Sequence, residues 1–384
     1  MENIKYDVVV VGCGFAGATA ARVLAERGKS VLIIEQRSHV AGNCYDEKDQ
    51  YGILVHTYGP HIFHTNKKKV YEFLSCFTKW YDYQHEVVGN IYGKYLPIPF
   101  NLNTLHEVYE PEKADRLEAA LLQDYGEGNR VPILQLRQSD KEEIRELAEY
   151  VYENVFLHYT MKQWGQKPEE VDQSVTARVP VVLSRDNRYF HDTYQGMPLD
   201  GYTSVVEQML CHENITVCLN TSAKERITLC QGKAPLLDGS PYDGTVIYTG
   251  AVDELFDCCY GRLPYRSLDF VFEHYEKPQY QPKAVVNYTV SEEYTRITEF
   301  KHLTGQKADG TTIVKEYSKA YQGKEGEIPY YSIMNEENTA LYNRYKEKAE
   351  SCGNIILLGR LAEYKYYNID AIVERAMEVG GNLV

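Results

Sequence analysis

Val8-Val-Val-Val11, Gly12-Cys-Gly14-Phe-Ala-Gly17, Ala18-Thr-Ala-Ala21 and Val31-Leu-Ile-Ile34-Glu35 decide the fold of this chain. The first apolar run predicts a buried strand, the small residues after the glycines a helix packed close on it, and the second run a parallel neighbour. A Gly-x-Gly-x-x-Gly turn in that context is a dinucleotide-binding fingerprint. Gly12 makes the tight turn, Gly14 lets the backbone approach a pyrophosphate, and Gly17 lets helix lie on strand. Phe15 and Ala16 fill the turn, and Glu35, with Gln36 beside it, stands where a carboxylate takes a ribose hydroxyl. An acid at that position repels a 2′-phosphate, so NADP is disfavoured and FAD or NAD remains.

At 384 residues the chain predicts two or three domains. No apolar run reaches the ~18 residues of a membrane span, and the first strand leaves no room for a signal peptide, so a cytoplasmic protein without membrane contact is expected. Nine cysteines lie without CxxC pairs and read as reduced, mostly structural thiols. A net charge of −14 without a Lys/Arg cluster excludes general nucleic-acid binding; Lys67-Lys-Lys69 reads as a solvated face. An anionic substrate must then be held by a few placed arginines. Thirty-four tyrosines against eleven phenylalanines and two tryptophans suit a polar ligand, since tyrosine joins a flat face to a hydroxyl.

Farther along, a hairpin is expected over 86–99, closed by prolines, and helices over 103–125 and 141–164. Ile144, Leu147, Ala148, Val151 and Val155 form one apolar stripe of the second helix, Tyr152, Phe156 and Tyr159 another, and Ser139-Asp-Lys-Glu142 reads as its capping signal. Strands are expected over 217–221, 245–250, 284–288, 294–302, 311–317 and 354–359, with helices over 338–352 and 370–379. A strand–helix unit at the end completes the sheet begun at the start, so the cofactor domain is discontinuous. The fold class is α/β: a Rossmann-like FAD-binding domain over 1–82, 200–262 and 338–384, a helical insert over 101–172, and an antiparallel β-sheet domain over 83–100, 173–199 and 263–337.

Four further segments resemble one family, the bacterial UDP-galactopyranose mutases: Tyr58-Gly-Pro-His-Ile-Phe-His64-Thr, Tyr159-Thr-Met-Lys-Gln-Trp164-Gly, Ala177-Arg178-Val-Pro with Asp186-Asn-Arg-Tyr189-Phe190, and Gly359-Arg360-Leu-Ala-Glu-Tyr-Lys-Tyr366. The resemblance covers nearly the whole chain. It implies FAD, active in the reduced form, and interconversion of UDP-galactopyranose and UDP-galactofuranose without net oxidation. In the family the flavin N5 attacks the anomeric carbon and expels UDP, the ring opens to an iminium, and reclosure returns UDP. The flavin's reductant is not identified, and a homodimer is a family expectation.

The resemblance also implies site residues. Arg178 and Arg296 match the two phosphate-binding arginines, whose forks neutralise a departing diphosphate. His61 matches the residue whose backbone passes flavin N5, and His64 one on the sugar side; as a metal pair they lack a third ligand, and no metal is expected. Phe156, Tyr159, Thr160, Trp164, Tyr189, Phe190 and Tyr366 match substrate residues, and of Tyr330-Tyr331 the first is preferred. Cofactor contacts fall on Gly12, Gly14, Phe15, Ala16, Gly17, Glu35, Gln36, Gly42, Asn43, Thr221, Gly250, Gly359, Arg360 and Asp370, the last at a helix start that suits a negative reduced flavin.

Two departures stand out. Ala41-Gly42-Asn43 replaces the family's Gly-Gly-Asn, and Tyr366-Tyr367-Asn368 replaces Tyr-x-Asp, removing a charge at Asn368 beside the substrate. Three alternatives therefore stay open: a mutase for a related UDP-sugar such as UDP-N-acetylgalactosamine, an amine-oxidase-like flavin oxidoreductase, and a non-catalytic flavin- or sugar-nucleotide-binding protein.

Overall fold

A computed structural model describes residues 6–165, 180–229 and 232–383. Val8–Val11 is the middle strand of a five-stranded parallel sheet with the order Ile215–Cys218, Val31–Ile34, Val8–Val11, Thr245–Tyr248, Ile355–Leu357. Its four valines are all buried because both faces of the sheet are covered. Val8, Val10 and Ile33 face the helices Phe15–Ala25 and Ile369–Asn382, while Val9, Val11, Leu32 and Ile34 form a separate core on the other face with Tyr242 and Tyr248. The two helices touch through small residues: a Cβ on Gly380 would lie 3.0 Å from Val23 and 3.3 Å from the Ala20 carbonyl.

A second sheet of seven strands has the order Tyr331–Ser332, Tyr265–Tyr275, Thr311–Ala320, Arg296–Glu299, Val285–Tyr288, Val87–Ile91, Lys94–Ile98. It is antiparallel except where Val285–Tyr288 runs parallel to Val87–Ile91. Its longest strand, Tyr265–Tyr275, was not among the expected strands, because Asp269, Val271 and Phe272 break the polar/apolar alternation. The strand expected over 294–302 stops at Glu299. Phe300–Thr304 is a helix ended by Gly305 at φ +68, so Phe300 and His302 do not continue the face of Thr298. A helix over Gly201–Leu210, also unexpected, is capped from outside by the Asp46 carboxylate, which accepts from the Tyr202 N–H at 2.6 Å and the Thr203 N–H at 2.9 Å.

The segment expected as one helix over 103–125 is two, Leu102–Val108 and Pro111–Tyr125, divided where Pro111 starts the second. The segment over 141–164 is α-helical over Glu142–Val151, a π-turn over Tyr152–Leu157, and α-helical again over His158–Trp164. Its first residue is preceded by Lys141 with no side-chain cap; Ser139 Oγ accepts from the Lys141 N–H instead of capping the helix. The π-turn splits the second stripe: Tyr152 and Phe156 pack with the core of the first stripe, and Tyr159 leaves it. One inserted residue rotates the following turn by about 100°, so Ile144, Leu147, Ala148 and Val151 fill the insert's own core while Tyr159 turns to the second sheet. No helix among the described residues is long and apolar enough to cross a membrane.

Candidate active site

The carboxyl ends of the parallel strands open into a cleft of about 1530 Å³. Its floor is the glycine turn. Gly12 holds φ +98, and a Cβ on Gly17 would lie 2.1 Å from the Gly12 carbonyl, so neither position admits a side chain without moving backbone. Gly14 caps the helix Phe15–Ala25 without any side-chain hydrogen bond, which leaves the first-turn amides facing the cleft for an anion. The Glu35 carboxylate, 6 % exposed, accepts from the Cys13 N–H at 2.8 Å and the Arg37 N–H at 2.9 Å. Two backbone donors hold its orientation and leave lone pairs for hydroxyl groups.

Of the expected cofactor residues, Gly12, Gly14, Phe15, Ala16, Glu35, Gln36, Gly42, Asn43, Gly250, Gly359 and Arg360 line this cleft. Gly17, Thr221 and Asp370 do not. Gly17 works beneath the turn, the Thr221 N–H donates to the Glu35 carbonyl at 3.0 Å, and Asp370 accepts from Thr65 Oγ1 at 2.9 Å. The sequence reading missed Arg37, Tyr58 and Thr249, which also line the cleft. Arg37 stacks on the Tyr58 ring at 4.5 Å and donates to Asn43 Oδ1 at 2.9 Å, while its buried Nη1 has no partner among the described residues. A buried guanidinium nitrogen left without an acceptor fits a phosphorylated ligand, as do the free helix amides and the glycine floor. A cation two residues after the strand-end acid was the available signal.

His61 lines the same cleft, its Nδ1 donating to the Gly59 carbonyl at 2.9 Å. Burial, with His56 and Arg360 nearby, pulls its pKa down to about 3, so the ring is neutral. His56 behind it is pulled down by burial to about 4.

Arg296 leaves the second sheet toward the helical insert. Its Nη2 donates to Tyr159 Oη at 2.8 Å, and its Nε stands 3.3 Å from the buried Glu316 carboxylate. Burial opposes the Arg296 charge, but Glu316 together with Tyr159, Tyr331 and Tyr189 outweighs it and the guanidinium stays protonated. Burial raises the Tyr159 pKa against the pull of Arg296, so the phenol is neutral. Since Tyr159 accepts from the arginine, its own proton remains for an oxygen ligand. Tyr189 and Tyr331 lie close enough to influence the same guanidinium.

An aromatic path joins this pair to the cleft. Trp164 lies 6.2 Å from Tyr331, Tyr331 stacks on Tyr366 at 6.2 Å, and Arg360 sits 4.7 Å over Tyr366 and 5.9 Å over Tyr331. Tyr331, not Tyr330, stands among these groups. Tyr330 is 4 % exposed and packs on Phe270. Adjacent tyrosines on an extended segment face opposite ways, which residue type alone does not resolve. Phe156 sits in the core of the helical insert at 3 % exposure, against Tyr152, and Thr160 is also buried. Arg178 lies outside the described residues.

His64 Nδ1 donates to Asp192 Oδ2, 2.9 Å away, and the ring stacks on Phe190 at 3.6 Å. Phe190 in turn lies 5.6 Å from His85, a buried histidine the sequence reading passed over. Burial, then Arg296 and His64, pull the His85 pKa down to about 3. Asn368 is the N-cap residue of Ile369–Asn382 and makes no side-chain cap, while its carbonyl accepts from the Ile372 N–H. Among the described residues no group of three or more His, Cys, Asp or Glu side chains could hold a metal ion.

A family model described as UDP-galactopyranose mutase matches residues 154–366, and one for an NAD(P)-binding Rossmann-like domain matches residues 10–77. The chain is 35 % identical over 374 residues to a dTDP-fucopyranose mutase of Escherichia coli, spanning 97 % of this chain and 96 % of the relative. It is likewise 35 % identical over 375 residues to a probable UDP-galactopyranose mutase of Klebsiella pneumoniae, spanning 97 % and 93 %. The solved structure of a reduced UDP-galactopyranose mutase superposes with a TM-score of 0.71 at 15 % identity, over 99 % of this chain and 94 % of that one.

Proposed function

This chain belongs to the UDP-galactopyranose mutase family, whose members are isomerases, and on that premise we propose that it interconverts UDP-galactopyranose and UDP-galactofuranose on a bound, reduced FAD. The observation that carries the reading is the Arg296–Tyr159 pair, joined to a dinucleotide cleft by Trp164, Tyr331, Tyr366 and Arg360. An amine oxidase has no use for a fixed arginine fork and a neutral phenol at the mouth of its cavity.

The glycine floor, Glu35, Arg37 and Asn43 would hold the pyrophosphate and adenosine of FAD, and Gly359, Arg360 and His61 its flavin end. When bound and reduced, FAD would supply an electron-rich nucleophile toward the anomeric carbon, with no net change of oxidation state. The chain's own groups do the rest. Arg296, with Arg178 assigned to the same diphosphate, neutralises charge as the sugar–phosphate bond breaks; Tyr159 donates its proton to a phosphate oxygen without adding charge. Tyr189, Tyr331 and Trp164 frame the nucleotide.

A second substrate reading, dTDP-fucopyranose, is favoured by the equal identity to the Escherichia coli relative and by Asn368 in place of the family's acid. The deciding experiment incubates dithionite-reduced protein with UDP-galactopyranose, UDP-N-acetylgalactosamine and dTDP-fucopyranose and separates the products. UDP-galactofuranose formed only with reduced flavin supports the first reading, a furanose only from the dTDP-sugar supports the second, and no furanose from any of them sinks the mutase reading. With a mild hydride donor present, label from the sugar should travel with the flavin.

A further inference from the structure

The helix that carries Tyr159 is fastened to the second sheet by two cations, neither of which has a carboxylate within 4.0 Å among the described residues. Lys162 Nζ donates to the backbone carbonyls of Tyr288 at 2.5 Å, Glu292 at 2.9 Å and Tyr294 at 3.5 Å. An ammonium has three N–H donors, and all three serve this one hairpin. The hairpin joins Val285–Tyr288 to Arg296–Glu299, and its last contact, Tyr294, stands two residues before Arg296.

Arg266, 7 % exposed, grips the other end of the same turn. Its Nε donates to the Gln163 carbonyl at 3.0 Å and its Nη2 to the Lys162 carbonyl at 3.3 Å, and Ser318 Oγ donates to the Gln163 carbonyl at 2.7 Å. Those carbonyls belong to the last helical turn and have no partner inside the helix. Positions 159, 162 and 163 share a helix face, so the face that presents Tyr159 to Arg296 also carries the fastening. Partly or wholly burying a cation without a directly paired carboxylate is costly, the Glu292 carboxylate acting on Lys162 only from beyond ion-pair distance, and an apolar side chain would pack a helix on a sheet without that cost. Two such cations at one turn therefore point to a geometric task.

We propose that Lys162 is a positioning residue for the diphosphate site. Its ammonium shapes the 288–294 hairpin and holds it on the helix, so that Tyr159 and Arg296 meet before a ligand arrives, with Arg266 as the second anchor. The choice of ligand rests on the function proposed above; the geometry does not.

The test uses FAD-loaded full-length protein with Lys162→Met, and Lys162→Gln, which keeps two donors, in case the first does not fold. Crystal structures without nucleotide should show the hairpin rearranged and the Tyr159–Arg296 bond lost; an unchanged hairpin and bond overturn the proposal. In the wild type, Lys162→Met should weaken UDP binding about 10-fold, an effect of the size seen between coupled neighbours. In a Tyr159→Phe background the same change should weaken it less than about 2-fold, whereas an equal 10-fold loss in both backgrounds marks a general structural role and overturns the proposal. If wild-type protein binds neither UDP nor dTDP, the functional reading falls while the nucleotide-free structures still decide the role of Lys162.

Discussion

The dinucleotide cradle and the diphosphate site are built in opposite ways. The cradle is made of backbone: the Gly12–Gly17 turn, the first amides of one helix, and a carboxylate held by two N–H groups. The diphosphate site is made of side chains drawn from residues 159 to 366, across a helix, a sheet and a late loop. A site of backbone tolerates almost any side chain that stays out of the way and fails when a Cβ intrudes. A site of side chains tolerates backbone neighbours and fails when one functional group is lost.

The sharpest way to break the comparison is Gly17→Ala. Its methyl would meet a backbone oxygen at 2.1 Å, which no rotamer change relieves, and we expect a loss of roughly 3 kcal/mol or more together with loss of bound flavin, read by thermal unfolding and flavin absorbance. If the alanine protein retains flavin and Tm, the cradle is not the rigid object described. On the other side, Arg296→Lys keeps the charge and removes the fork; kcat/KM should fall about 100-fold with Tm nearly unchanged. An equal fall in Tm would make Arg296 a structural residue instead.

Acidity should act on both regions through folding. His56 and His85, almost fully buried, have pKa values pulled down to about 4 and about 3. Between those values and about 6.5 the unfolded chain binds protons the folded one does not, so stability is full above pH 6.5 and falls as pH drops through that window. Each buried histidine should contribute about 1.4 kcal/mol of loss per pH unit below 6.5, and a His85→Gln protein should show a shallower Tm–pH curve. A parallel curve would show that His85 is not neutral in the fold.

A smaller effect tests the cradle's tolerance. Ala41 holds φ +69, a left-handed conformation that suits the family's glycine, and is 1 % exposed. Ala41→Gly should raise stability by about 1 kcal/mol or less, since relief of that strain is offset by the greater freedom of unfolded glycine. The smallest expected change is Asn368→Asp, which should shift the ratio of rates on UDP-galactopyranose and dTDP-fucopyranose by a few-fold; an unchanged ratio makes the position neutral to substrate.

The same contrast explains what the sequence made legible. The first two parallel strands, the glycine floor between them and Glu35 are contiguous in the chain, and each glycine has one steric reason to be there. Ile144, Leu147, Ala148 and Val151 were legible as a stripe because helical period and burial agree. The diphosphate side offered no local signal. Tyr159 and Arg296 are 137 residues apart, and Glu316 lies on a strand whose pattern is only half-buried. Their grouping came from resemblance to a family, and that route could not separate Tyr330 from Tyr331 or notice His85 and Arg37. Lys162 drew no reading of its own, since its three acceptors are backbone carbonyls that leave no trace in side-chain composition.

The parallel sheet has a consequence for how the protein comes into being. Synthesis proceeds from the N-terminus, so Val8–Val11 and Val31–Ile34 leave the ribosome early with their glycine turn complete. Their partners Ile215–Cys218 and Thr245–Tyr248 follow only after the helical insert, and Ile355–Leu357 and the helix Ile369–Asn382 only after the second sheet. Until then the nascent chain carries an apolar, half-paired sheet whose glycine floor lacks the later lining of the cleft, Thr249, Gly250, Gly359 and Arg360. A nascent chain that stalls before residue 355 therefore holds the floor of the cleft without Gly359 and Arg360, and without the last strand and helix that cover the sheet.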